Sequence, residues 1–404
     1  MDYQFNPEQE AFREESSSWL AANLPADFDH DRRRNYETVV AWKIAYKRFQ
    51  KKLFDAGYAG MNCPKKYGGQ GRSVVEEAIV LQTLASTCSE LRRPGFITHS
   101  IELPTILAQG SEEQKKEMIP KMLDGTHIWC QGFSEPDAGS DVANVSTKAV
   151  KEGDHYVVNG QKVWTSFAHI ADYCVLLVRT DPNVPKHKGL SYLLVDMTLP
   201  GIDVRPMLQI TREGDFNEVF FDDVKVPVDM LVGRENQGWQ IAITTLMFER
   251  VIGDVVMGAV YENNILSMVN MAQETKRSGK PVIDGPVFRQ EIARSYIEVM
   301  VLKYHGLRNF STLLESKIPG PEGSIGKILW SEPYQRLAEA AVGMQGPNGQ
   351  VMSGSPWCID DGDWQFHFIR SKGSTIEGGT SEIQRNIIGE RVLGLPKDRL
   401  RAKV

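Results

Sequence analysis

Cysteine is scarce in this sequence of 404 residues, and the few present stand apart. The five, Cys63, Cys88, Cys130, Cys174 and Cys358, form no CxxC pair. That pattern argues against a disulfide framework and against the common zinc motifs; it reads as reduced thiols in a cytoplasmic protein. The 8 histidines contain no HxH or HxxxH pair, so no metal site is expected. No apolar run approaches the roughly 18–20 residues of a membrane span. Surplus positive charge is lacking as well. With 46 Lys and Arg against 52 Asp and Glu, a net charge of −6 gives no footprint for nucleic acid or anionic membrane. No GxxxxGK[ST] occurs, and no GxGxxG joins a strand pattern to a helix, which disfavours P-loop and Rossmann binding. Any nucleotide cofactor must be held by another route, across a β segment. Met1–Pro7 leads into a capped helix and shows no signal or transit pattern.

What is present suffices for two or three cores: 41% of the residues are hydrophobic. The chain reads as an α+β multi-domain protein with a helical part over 1–125, a β part over 126–234 and a helical bundle over 235–404. Asn6 followed by Pro7 opens one helix, with Phe12, Trp19 and Leu20 on its inner face. Ser111 with Gln114 has capping-box spacing ahead of Met118, Ile119, Met122 and Leu123. In the β part, Asn159-Gly160 between Tyr156–Val158 and Lys162–Trp164 predicts a hairpin. Strands are expected at Tyr173–Val178, Leu190–Val195 and Val219–Phe221. Breaks at Gly279–Pro286 and Ile318–Gly323 interrupt the later helices.

Three places carry candidate chemistry. Near the C-terminus, Thr375-Ile376-Glu377-Gly378-Gly379-Thr380-Ser381-Glu382 is a glycine turn entering a helix, with Ser381 and Gln384 at capping-box spacing. Backbone N–H groups there lack helical partners and suit an anion, a carbonyl or a nucleotide. At the helical-to-β junction, Trp129–Asp141 combines Ser134, Glu135-Pro136 and a Gly139-Ser140-Asp141 turn; it reads equally as an ordinary connection. Downstream, Trp164-Thr165-Ser166 offers an indole beside two hydroxyls, suited to a flat ring with polar edges or to plain packing. Glu249 lies on the apolar stripe of its helix with Leu246, Ile252 and Gly253. On spacing alone it is either half of an ion pair or a carboxylate whose buried setting raises its pKa for proton abstraction.

Taken together these segments resemble the acyl-CoA dehydrogenase family of flavoproteins along essentially the whole chain. The matching residues are Phe133–Pro136 with Ala138–Asp141, Asn159–Trp164, Asn217–Pro227 and Gly379–Arg385. The resemblance implies an N-terminal helical domain, a middle β-barrel-like domain and a C-terminal four-helix bundle. It also implies FAD as cofactor and a homo-oligomer, a tetramer or a dimer. The implied reaction is α,β-dehydrogenation of an acyl-CoA, with electrons passed to an electron-transfer flavoprotein. It further implies flavin contacts at Gln131, Phe133, Ser134, Trp164 and Ser166, and cofactor-proximal roles for Thr380 and Glu382. Ser140, Arg250 and Gly379 match substrate contacts, and the Gly378 N–H matches a donor to the thioester oxygen.

The usual base position directly before Gly-Thr is occupied here by Gly378, with Glu377 one residue early. Other branches carry the base in a Leu-x-x-Glu-Arg context, which Leu246-Met247-Phe248-Glu249-Arg250 matches. Glu249 is therefore the expected base and Glu377 the second choice. The competing readings are an oxidase or monooxygenase on the same fold, and a non-catalytic subunit of a mixed complex.

Overall fold

The computed structural model describes residues 5–26, 38–316 and 320–397, and gives the backbone alone for 89–90, 249–255 and 313–316. By its internal contacts the chain divides into two compact units, with the boundary between Phe248 and Glu249.

The first unit begins with helices α1 (Pro7–Asn23), α2 (Val39–Asp55), α3 (Val74–Arg92), α4 (Leu103–Gln109) and α5 (Glu112–Leu123). Local sequence sets their starts. Asn6 and Gln9 form a reciprocal capping box on α1, as do Ser111 and Gln114 on α5. The expected inner face of α5, Met118, Ile119, Met122 and Leu123, is wholly buried.

A seven-stranded sheet follows: β1 (Trp129–Gly132), β2 (Lys148–Glu152), β3 (His155–Lys162), β4 (Tyr173–Arg179), β5 (Leu190–Asp196), β6 (Ile202–Met207) and β7 (Phe216–Pro227). The β1–β4 pair is parallel, and β4–β5, β2–β3, β3–β7 and β6–β7 are antiparallel. Cys174–Val178 of β4 and Tyr192–Val195 of β5 read as unbroken apolar runs because both faces are covered. Val175, Leu177, Tyr192 and Leu194 enter a core shared with α5. Their alternates, Cys174, Leu176, Val178, Leu193 and Val195, enter a second core with Tyr156, Val158 and Val219.

The hairpin expected at Asn159-Gly160 is not formed. Both residues lie inside β3, where pairing to β7 shifts register between Val158 and Gly160. The Asn159 side chain donates to Asp223 Oδ1 (2.9 Å) and accepts from the Asp223 N–H (3.0 Å), clamping that irregularity. Gly160 is required for another reason: a Cβ there would lie 2.6 Å from Thr147 Oγ1. The tight turn instead joins β2 to β3 at Gly153 (φ 60°) and Asp154.

The second unit holds the greater part of α6 (Gly238–Glu274), a short β8–β9 pair (Lys276–Arg277 and Lys280–Pro281), α7 (Pro286–Ser316), α8 (Gly323–Met344), α9 (Asp363–Ser374) and α10 (Ser381–Ile387). Its core gathers Met268, Met271, Leu302, Leu337, Ala341, Met344 and Trp364. The break at 279–286 falls as expected, and that at 318–323 lies partly outside the described residues. Among the described residues, no helix is long and apolar enough to cross a membrane.

Candidate functional site

In the first unit the structure joins two of the sequence segments. β1 carries Gln131, half-buried, and delivers Phe133 and Ser134 beyond its end. Phe133 is buried with its ring edge-on to Tyr192 at 5.9 Å. β3 ends at Lys162, and the next N–H, that of Val163, donates to Ser134 C=O at 2.9 Å. The link is reinforced by an ion pair foreseen by neither motif. Lys162 Nζ, with no solvent exposure, reaches Glu135 Oε1 at 2.8 Å and Phe133 C=O at 3.0 Å. The Glu135 carboxylate also accepts from the Ser146 N–H, the Ser146 hydroxyl and the Thr147 N–H. Burial alone would raise the Glu135 carboxyl, but Lys162 and these hydrogen bonds outweigh it and hold the group down to about 2. Burial likewise pushes Lys162 down to about 8, against the pull of Glu135.

Trp164 follows at φ 59°, a costly backbone region for a bulky residue, and Phe167 repeats it at φ 61°. The segment is fastened at both turns: the Thr165 N–H donates to Asn217 C=O (3.0 Å) and the Phe167 N–H to Asp215 C=O (2.7 Å). Asn217 returns Nδ2 to Thr165 C=O at 2.9 Å. Arg93 braces the same corner from the helical side, pairing with Asp215 and lying 5.9 Å from the Phe167 ring. The outcome is an indole 60% exposed, supported edge-on by Phe216 at 5.8 Å. Ser166 is half-buried beside it. The Thr165 hydroxyl is buried and meets no hydrogen-bonding partner among the described residues. The exposed indole face, with half-buried Ser166 beside it, fits a flat ring with polar edges. Ser140 stands exposed on the turn after Ala138.

In the second unit the glycine turn is described completely. Gly378 (φ 62°) and Gly379 (φ 90°) are both left-handed, which disfavours any side chain at the position before Gly-Thr. Thr380, and not Ser381, is the N-cap of α10: its hydroxyl accepts from the Ile383 N–H at 3.3 Å, and Ser381 is the first helical residue. Gln384 does not complete a capping box. Its Nε2 turns back to donate to Gly378 C=O (2.9 Å) and Gly379 C=O (3.3 Å). Glu377, half-buried, is held by Arg370 Nη2 at 2.8 Å. The Gly378 and Gly379 N–H groups donate to no acceptor among the described residues. Glu382 is exposed in the first turn of α10, where its own N–H and the Thr380 hydroxyl lower its carboxyl. Glu249 and Arg250 lie in α6, and their side chains fall outside the described residues.

Sequence reading missed Glu135–Lys162, Asn217, Arg93 and the role of Gln384. Glu135 and Lys162 both stand among polar residues and glycine, so neither charge is conspicuous in its own segment. Asn217 and Arg93 act through partners far away in the chain, whereas Gln384 reaches glycines five and six residues before it.

Known proteins resemble the chain along essentially its whole length. Models of the acyl-CoA dehydrogenase N-terminal, middle and C-terminal domains match residues 6–126, 130–224 and 236–393. Acyl-CoA dehydrogenase IpdE1 of Mycobacterium tuberculosis is 35% identical over 96% of this chain and 98% of its own. A solved Tcur3481–Tcur3483 steroid ACAD superposes with a TM-score of 0.85 at 29% identity, covering 98% of this chain and 100% of that one. The ChsE4–ChsE5 complex of Mycobacterium tuberculosis gives 0.83 at 32% identity, covering 98% and 100%. The chain belongs to the acyl-CoA dehydrogenase family of FAD flavoproteins.

Proposed function

We propose that this chain oxidises the Cα–Cβ bond of an acyl-CoA thioester to the trans-2-enoyl-CoA, with Glu249 as the base that removes the α-proton. An α-proton next to a thioester is weakly acidic, so the carbonyl oxygen needs donors where charge develops. The N–H groups of Gly378 and Gly379 fill that role, and Arg250 and Ser140 bind the substrate. Bound FAD supplies the acceptor for the β-hydride. Trp164, Ser166, Phe133, Ser134 and Gln131 orient its ring, Thr380 and Glu382 lie near it, and the reducing equivalents pass to an electron-transfer flavoprotein.

The observation that carries the choice of base is the state of the turn. It offers two uncommitted N–H groups, but its carboxylate, Glu377, is taken by Arg370. A carboxylate fastened to an arginine faces that arginine and is not free to approach a substrate carbon. Glu249→Gln is expected to lower flavin bleaching by an acyl-CoA at least 10³-fold, consistent with loss of an essential base, while FAD stays bound. Glu377→Gln is expected to retain activity within about tenfold. The reverse pattern would return the base to the turn. Rapid turnover in air without another acceptor would favour an oxidase, and a yellow protein that no acyl-CoA bleaches would favour a non-catalytic subunit.

The steroid ACAD among the similar structures supports a bulky, ring-bearing acyl group. An acyl-CoA panel spanning butyryl to polycyclic side chains tests this, and a preference for butyryl-CoA would overturn it. The same reading extends to a homo-oligomer, supported by an exposed apolar row on α7: Ile297, Val301 and Tyr304.

A further inference from the structure

We propose that Gln384 is the positioning residue for the thioester-oxygen donors, holding the Gly378–Gly379 turn in its donating orientation; this rests on the acyl-CoA reading above. Three observations within one unit lead to it. Gln384 has no solvent exposure, although it is polar and stands only three residues after the first residue of α10. Its Nε2 bonds both glycine carbonyls, at 2.9 and 3.3 Å. A peptide group is rigid and planar, so fixing Gly378 C=O fixes the Gly379 N–H on the opposite side of the same plane. At the other end of the turn, Glu377 is anchored: its N–H bonds Gly373 C=O at 3.0 Å and its carboxylate pairs with Arg370.

Two left-handed glycines in succession would otherwise move among several backbone wells. A Cβ on Gly379 would stand 2.5 Å from Gln384 Nε2, so glycine and amide are fitted to one another. Another tie across the turn, the Ser381 N–H to Thr375 C=O at 3.0 Å, closes the loop without touching either glycine. The side-chain amide of Gln384 is thus the one described group that bonds the carbonyls of both glycines.

The test uses the FAD-loaded full chain and the acyl-CoA of the panel that bleaches the wild type fastest. Gln384→Met keeps the length and removes the donor. The expected result is a fall in kcat of about 10- to 100-fold, with KM within about threefold and flavin content unchanged. Gln384→Glu supplies the conservative control: its carboxyl donates only when protonated, so its rate relative to wild type is expected to rise as pH falls from 8 to 5.5, as required of a donor role. A kcat for Gln384→Met within twofold of wild type would overturn the inference. If that variant does not fold, a pH-independent ratio for Gln384→Glu overturns it instead. Failure of the underlying reading looks different, since the wild type itself would then be bleached by no acyl-CoA, or Glu249→Gln would remain active.

Discussion

Lys162 and Glu135 show how much one buried pair can organise. The pair ties Phe133 and Ser134 to the strand that leads to Trp164. Its effect on stability has a defined sign. The Glu135 carboxyl sits at about 2 when folded against 4.5 as its ordinary value. Its contribution is therefore present above pH 4.5 and lost as pH falls toward 2, and is worth roughly 3 kcal/mol. Lys162 acts the other way: its folded value of about 8 lies below 10.5, so its buried charge costs stability at neutral pH, and that cost is relieved between pH 8 and 10.5. Denaturant unfolding between pH 5.5 and 2 is expected to show a steeper loss for wild type than for the Glu135→Gln, Lys162→Met double variant. Parallel losses would contradict the pairing. Either single substitution is expected to cost about 3–5 kcal/mol, more than the two together, because it strands one buried charge or its unmet partners.

At the scale of elements, α5 separates what a local signal can and cannot reveal. Ser111 and Gln114 announce the capping box within four residues, and the box forms. Gln114 also donates to Asp229 C=O (2.7 Å) and Leu231 C=O (3.0 Å), which lie more than a hundred residues away. Ser111→Ala is expected to cost about 1 kcal/mol, the value of a cap. Gln114→Ala is expected to cost roughly 2–4 kcal/mol, since it also leaves two carbonyls unmet. Urea titrations of both variants check this, and equal costs would mean the distant bonds contribute nothing. The strands give the same lesson. Gly153-Asp154 and Asn159-Gly160 are similar turn signals, yet only the first turns, because β7 runs alongside β3 and takes up Asn159 as a cross-strand clamp. At α10, Thr380 and Ser381 are adjacent hydroxyls, and the left-handed glycines before them decide that Thr380 is the cap.

For the whole molecule, an apolar row on α7 with Ile297 61% exposed is costly in a monomer and is consistent with the proposed homo-oligomer. Light scattering at micromolar concentration is expected to give two or four times the 45.4 kDa chain mass. A single-chain mass would overturn that assembly. The order of helical part, β part and helical bundle was legible in the sequence, because hydrophobic period and turn residues are local properties. So were the candidate residues at Phe133–Ser134, Trp164–Ser166 and Gly378–Thr380, since each stands in a short motif with its own chemistry. Tertiary structure alone decided that Lys162 reaches back to Glu135, that Arg370 takes the Glu377 carboxylate and that Gln384 clasps the two glycines. A buried charge or amide has no local pattern that names its partner. Only the packing that excludes water makes the partner obligatory.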